Sequence, residues 1–192
     1  MLLKIIIAST RPGRKGPALG YWINEIAKKH GKFDVKLLDL QEVNLPFLDE
    51  SNHPRFQKYE QEHTKAWSKE IDTADAFIFV TPEYNFGLPA TLKNALDFLF
   101  LECGYKPVGF VSYGGVSAGT RAVQMLKQVV TALKMMPLYE SINVATFTKY
   151  INAEGQFVPE EGLEKAAMGM LDELAKWSEA LAPMRVKTRT DN

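Results

Sequence analysis

The stretch from Leu2 to Ala18 restricts the fold of this chain more than any other. An apolar run, Leu2-Leu3-Lys4-Ile5-Ile6-Ile7-Ala8, passes directly into Ser9-Thr10-Arg11-Pro12-Gly13-Arg14-Lys15-Gly16-Pro17, and an amphipathic segment begins near Ala18. A strand, then a loop of hydroxyls, glycines and cations, then a helix is the opening of a layered α/β domain. A helix start of this kind turns unpaired N–H groups and the positive end of its dipole toward an anion. A basic surface turn ahead of a helix is the plainer reading of the same residues.

The spacing excludes two nucleotide loops. Lys15 precedes Gly16 and no Ser or Thr follows, so the Walker pattern is absent, as is G-x-G-x-x-G after this first strand. Ser9, Thr10, Arg11 and Arg14 remain, a set suited to a terminal phosphate because the planar guanidinium donates two parallel hydrogen bonds.

The same alternation continues along the chain. A helix is expected from about Pro17 to His30, with Leu19, Trp22, Ile23 and Ile26 on one face, and a strand from Phe33 to Leu40. Leu45 to Pro54 reads as a loop, and Phe56, Tyr59, Trp67 and Ile71 mark a helix ending near Thr73. Ala76 to Val80 is uninterrupted apolar sequence, as in a central strand covered on both faces. Leu88, Leu92, Ala95, Leu96 and Leu99 stripe the next helix, and Val108 to Ser112 is a strand. Gly114 to Gly119 turns into a helix carrying Ala122, Met125, Leu126, Val129, Val130 and Leu133. A last strand is expected near Ile142 to Phe147 and a last helix from Glu160 to about Ala182.

Five strands alternating with five helices predict a doubly wound parallel sheet with helices on both faces. One domain over residues 1–185 and a flexible polar tail, 186–192, account for the length. Two strand orders fit, and both place ligands beyond the carboxyl ends of the strands at the switch point.

Lys and Arg number 23 and Asp and Glu 23, so no net field draws the chain to nucleic acid or a membrane surface. No apolar span reaches membrane length, and the first residues lack the charged region and cleavage site of a signal peptide. Cys103 is the single cysteine, which rules out an internal disulfide and points to the cytoplasm; its thiol is expected to be buried and inert. His30, His53 and His63 are scattered without metal-ligand spacing.

Two later loops share the ligand edge. Thr81-Pro82-Glu83-Tyr84-Asn85-Phe86-Gly87-Leu88-Pro89 is stiffened by prolines and carries an aromatic pair, which suits a flat heteroaromatic ring or simply plugs the core. Tyr113-Gly114-Gly115-Val116-Ser117-Ala118-Gly119 permits close approach of backbone to ligand, a tight turn, or both. A phosphate pocket, an aromatic clamp and a glycine edge together fit a mononucleotide bearing a fused planar ring.

These residues resemble the NAD(P)H-dependent FMN reductases. Ser9-Thr10-Arg11 with Gly16-Pro17 is similar to that family's phosphate loop, and Pro82-Glu83-Tyr84-Asn85 followed by Leu88-Pro89-Ala90-Thr91-Leu92-Lys93-Asn94-Ala95-Leu96-Asp97 to its most specific signature. The resemblance runs from about Leu2 to Leu133. It implies a flavodoxin-like fold with strand order 2-1-3-4-5, non-covalent FMN, and hydride transfer from NADH or NADPH to quinone-like or other small acceptors in a ping-pong scheme. By position, Ser9, Arg11, Gly16 and Pro17 would hold the FMN phosphate, with Arg14 and Lys15 as charged candidates for its second ligand. Pro82, Glu83, Tyr84 and Asn85 would line the isoalloxazine, and Gly114 and Gly115 its pyrimidine edge. The chain departs from the family at Ala8, where glycine is commoner, and at Arg14-Lys15, where many members are serine-rich. No side chain is expected to act as acid or base, since the flavin carries the chemistry.

Arg14, Lys15 and Arg121 are the cations that could favour NADPH over NADH. Phe98, Phe100 and Leu101 widen an apolar helix face, which predicts a homodimer or homotetramer. A flavodoxin-type electron carrier is the alternative, although such carriers are acidic and this chain is neutral; a flavin-sensing module without nicotinamide turnover is another.

Overall fold

The computed structural model describes residues 1–185; the expected tail, 186–192, lies outside the described residues. The strands are β1 (Leu2–Ile7), β2 (Asp34–Asp39), β3 (Ala76–Pro82), β4 (Pro107–Tyr113) and β5 (Met136–Val144). They form one parallel sheet in the order β2-β1-β3-β4-β5, the expected flavodoxin-like arrangement. The helices are α1 (Gly16–His30), the single turn α2 (Leu40–Val43), α3 (Glu62–Asp72), α4 (Ala90–Asp97), α5 (Thr120–Ala132) and α6 (Glu161–Leu181).

Alternation along each strand divides the core in two. Leu3 and Ile5 of β1 join Leu19 and Ile23 of α1 and Leu171 and Leu174 of α6 on one face. On the other, Ile6, Phe77, Phe79 and Phe110 pack with Trp67 of α3, Leu92 and Leu96 of α4 and Leu126 of α5. Every residue of β3 and β4 is buried, as strands covered on both faces must be.

Two buried lysines close the far end of α3. Lys4 bonds Glu70 and the Thr73 hydroxyl at 2.7 Å, and Lys106 donates to the carbonyls of Ile71 at 3.3 Å and Asp72 at 2.8 Å. Both ammonium groups thus meet carbonyls or side chains at the negative end of a helix dipole.

Three expectations are corrected. The helix marked from Phe56 begins only at Glu62: Pro54–Phe56 is a separate 3-10 turn, and Phe56 is exposed. β5 spans Met136–Val144 rather than Ile142–Phe147, since Pro137 and the polar side chains hide an edge strand that needs few apolar residues. Of Phe98, Phe100 and Leu101, expected to widen an interface face, Phe98 is instead buried in this chain's own core and Phe100 packs against it, leaving only Leu101 exposed.

Candidate functional site

Three loops leave the carboxyl ends of β1, β3 and β4, and each is tied to the other two. The first joins β1 to α1. Helix α1 begins with Lys15 at its N-cap, makes no side-chain capping bond and has no acidic residue in its first turn. Pro17 has no N–H and the Ala18 N–H turns back to the Lys15 carbonyl at 3.2 Å, so the Gly16 N–H is the first-turn donor left without an acceptor among the described residues, beside exposed Arg11 and Lys15. Lys15 makes no ion pair among the described residues. Arg14 turns inward: both terminal nitrogens reach Asp39 at 2.6 Å, and one also reaches the Ser9 carbonyl at 2.6 Å. In dinucleotide folds an acid at the end of the second strand, about 20 residues beyond the glycine loop, holds a ribose. Here Asp39 occupies that place and is taken by Arg14.

The second loop follows β3. Tyr84 and Gly87 exchange backbone bonds of 3.0 and 2.9 Å, closing a two-residue turn with Asn85 at φ 50° and Phe86 at φ 70°. Asparagine accepts that left-handed conformation readily; phenylalanine does so under strain of about 1–3 kcal/mol. The turn pushes Tyr84 and Phe86 into solvent and brings the Tyr84 ring 5.9 Å from the Arg11 guanidinium.

Glu83 couples the second loop to the third. Its carboxylate accepts from the Arg121 side chain at 2.6 Å, the Arg121 N–H at 3.1 Å and the Ser117 hydroxyl at 3.1 Å. The N-cap of α5 is Gly119, which has no side chain to cap with, so Glu83 supplies the acceptor from a neighbouring loop. Burial alone would raise the Glu83 pKa, but the bonds from Arg121 and Ser117 hold it below the usual carboxylate range. Arg121 also lies 3.8 Å from the centre of the Phe86 ring, bracing the strained turn.

In the third loop Gly119 sits at φ 80°, where a Cβ would meet Tyr113 backbone atoms at 2.9 Å. The Gly114 N–H is taken by the Val144 carbonyl at 3.2 Å. Gly115 is exposed, its N–H has no acceptor among the described residues, and a Cβ there would meet nothing within 4 Å. The first and third loops meet where the Tyr113 hydroxyl donates to Ser9 Oγ at 3.2 Å.

The structure thus gathers Ser9, Arg11, Lys15, Gly16, Pro17, Pro82, Tyr84, Asn85 and Gly115 around one sheet edge. Arg14 and Glu83 point away from it into loop-to-loop ion pairs. Arg121 is likewise engaged. The sequence reading missed the bracing roles of Asp39, Tyr113 and Ser117; a glycine N-cap on α5 was the one local sign that an acceptor had to come from elsewhere. A cavity of about 620 Å³ runs along α1 from Arg14, Lys15 and Pro17 of the first loop to Tyr21, Trp22 and Phe157. Among the described residues no group of His, Cys, Asp and Glu is placed to hold a metal, and no helix is long and apolar enough to cross a membrane.

A doubly wound sheet with an anion-ready helix start, an aromatic turn and an open glycine edge defines a flavodoxin-like mononucleotide-binding protein. The family model for NADPH-dependent FMN reductase matches residues 1–149, and the chain belongs to that family, an FMN-using class of oxidoreductases. It is 46% identical over 133 residues to an NAD(P)H-dependent FMN reductase of Schizosaccharomyces pombe, covering 68% of this chain and 66% of that protein. That alignment thus spans just under two thirds of the fission-yeast protein. Another NAD(P)H-dependent FMN reductase, from Nectria sp, is 32% identical over 173 residues, covering 85% and 86% of the two chains. Among solved structures, the flavoenzyme NAD(P)H:(acceptor) oxidoreductase FerB of Paracoccus denitrificans superposes with a TM-score of 0.74 at 21% identity, covering 93% of this chain and 97% of that one. A Streptococcus pneumoniae flavodoxin reaches 0.57 at 16% identity over 92% and 99%.

Proposed function

We propose that the chain transfers reducing equivalents from NAD(P)H to quinone-like or other small acceptors, with FMN held between the three loops. The observation that carries this reading is the start of α1, which has neither a capping side chain nor an acid and stands beside Arg11, Lys15 and the buried Ser9 hydroxyl. These residues fit a phosphate monoester, whose charge would be met by dipole, N–H groups and guanidinium together. Bound FMN supplies the two-electron chemistry, accepting from a nicotinamide and giving to an acceptor.

The chain's own groups bind and orient. Arg11 and the Gly16 N–H hold the phosphate, with Lys15 as the second cation; Arg14 keeps the loop in shape through Asp39. The Tyr84–Gly87 turn and Pro82 present backbone and an aromatic wall to the ring. Gly115 would leave room for its edge and offer it a free N–H donor. Positioning of this kind supplies up to about 7–11 kcal/mol. Reductant and acceptor use the same open face in turn.

Anaerobic stopped-flow with NADH and NADPH tests the reading. Bleaching of flavin absorbance before any acceptor is added, with parallel double-reciprocal lines at steady state, is expected. A flavin that stays oxidised under excess nicotinamide would instead support an electron carrier. We place the protein in the cytoplasm on its cysteine usage, and propose a homodimer on the exposed Phe47, Leu48 and Phe56 of the excursion between α2 and α3. A monomer in light scattering would overturn the dimer.

A further inference from the structure

We propose that Tyr113 is a positioning residue for the phosphate site: its hydroxyl fixes Ser9 so that the Ser9 hydrogen, not a lone pair, faces the phosphate oxygen of a flavin mononucleotide. The proposal rests on the reading of the β1–α1 loop given above.

The geometry is specific. Ser9 is 0% exposed and Tyr113 3%, and the two hydroxyls lie 3.2 Å apart with Tyr113 as donor. A serine hydroxyl has one hydrogen and two lone pairs, and only the hydrogen attracts a doubly charged phosphate. By donating to Ser9 Oγ, Tyr113 takes up a lone pair and leaves the Ser9 hydrogen without an acceptor among the described residues. A free serine rotor would have to be fixed on binding; this one is set beforehand.

Tyr113 is held on every side. It ends β4, pairs with Pro82 of β3 and Val144 of β5, and meets the Phe147 ring edge-on at 5.0 Å. Burial pushes its hydroxyl well above the usual tyrosine range, against the Ser9 bond and the charges of Arg14 and Arg11, so it remains a neutral donor. Gly16 makes the arrangement possible. A Cβ at that position would come within 2.5 Å of Ser9 Oγ and 2.8 Å of the Tyr113 hydroxyl, so the two oxygens occupy the space over the first turn of α1.

The test compares FMN with riboflavin, which lacks only the phosphate. Dissociation constants of both are measured by flavin fluorescence for wild type, Tyr113→Phe, Ser9→Ala and the double variant, with the phosphorus NMR shift of bound FMN and the melting temperature. Tyr113→Phe is expected to weaken FMN about tenfold while riboflavin stays within about twofold, the scale of one charge-assisted hydrogen bond. Ser9→Ala should do the same, the double variant should be no worse than Ser9→Ala alone, and the phosphorus resonance should move alike in both single variants. Equal weakening of FMN and riboflavin, an unchanged FMN constant, or losses that multiply in the double variant would overturn the role of Tyr113. Should Tyr113→Phe melt several degrees lower, the phosphorus shift still decides: an unmoved resonance refutes the proposal. Wild type that binds riboflavin as tightly as FMN brings down the phosphate reading itself, and the role of Tyr113 with it.

Discussion

Arg14 and Asp39 close a two-pronged ion pair, each guanidinium nitrogen 2.6 Å from its own carboxylate oxygen. Asp39 also accepts from the Gln41 N–H at the start of α2, while Arg14 donates to the Ser9 carbonyl. The end of β2, the α2 turn and the β1–α1 loop are therefore one unit.

Arg14 and Arg11, three residues apart, should fail differently. The Arg14 and Asp39 side chains are only 13% and 11% exposed, so Arg14→Ala strands a carboxylate and is expected to lose about 3 kcal/mol of stability in urea unfolding. Arg11→Ala should leave unfolding of the apoprotein unchanged and weaken FMN about tenfold or more in calorimetry, as expected for loss of a guanidinium–phosphate contact. Equal effects of the two substitutions on unfolding would refute this division of labour.

Phe86 holds a left-handed backbone that its side chain does not favour. Phe86→Gly creates the Asn-Gly pair preferred in this turn type and is expected to stabilise the fold by about 1 kcal/mol even after the Arg121 contact is lost. Steady-state turnover with a quinone should fall at the same time, because the turn loses its ring. A destabilised variant would show that the contact outweighs the strain.

Lys106 is 5% exposed, and burial draws its pKa down to about 8 from an ordinary 10.5, against the opposing pull of Asp72. Between those two values the unfolded chain keeps a proton that the folded chain releases, so this group's contribution to stability rises with pH over that window. Below pH 8 the buried charge carries its full penalty, roughly 3 kcal/mol. Tyrosines titrate in the same window, so the comparison is with Lys106→Met. Stability of wild type relative to that variant should increase from pH 8 to 10.5, and a flat difference would refute the shift.

Cys103 is enclosed, and burial pushes its thiol up to about 12. It is expected to resist a disulfide-forming chromogenic reagent in the native protein at pH 8 and to react fully once unfolded. Fast native labelling would mean that the α3–α4 face opens.

Where the chemistry was local, sequence carried far. The apolar run Ala76–Val80 marks a strand covered on both faces, and Gly31, left-handed at φ 79°, ends α1 just where the apolar periodicity stops. The loops of the candidate site were legible as loops, but the direction of their side chains was not. Glu83 sits within a signature read as ring-lining, yet the unmet N-terminus of α5 draws its carboxylate the other way. The excursion between α2 and α3 was opaque for a similar reason. Buried Glu102 accepts from Gln57, Tyr59, Ser68 and the Phe100 N–H at 2.6–3.1 Å, so a distant carboxylate rather than local pattern folds that segment down. In β5, Pro137 disguised a strand that needs no donor on its open side.

That last strand also shapes how copies of the molecule can meet. β5 advances from Pro137 to Ser141 while β4 advances only from Val108 to Phe110, a local kink next to the solvent-facing Tyr139. An offset of this kind twists the rim of a sheet and denies an incoming chain a straight ladder of amides. Fibril-like growth through that rim is thereby discouraged.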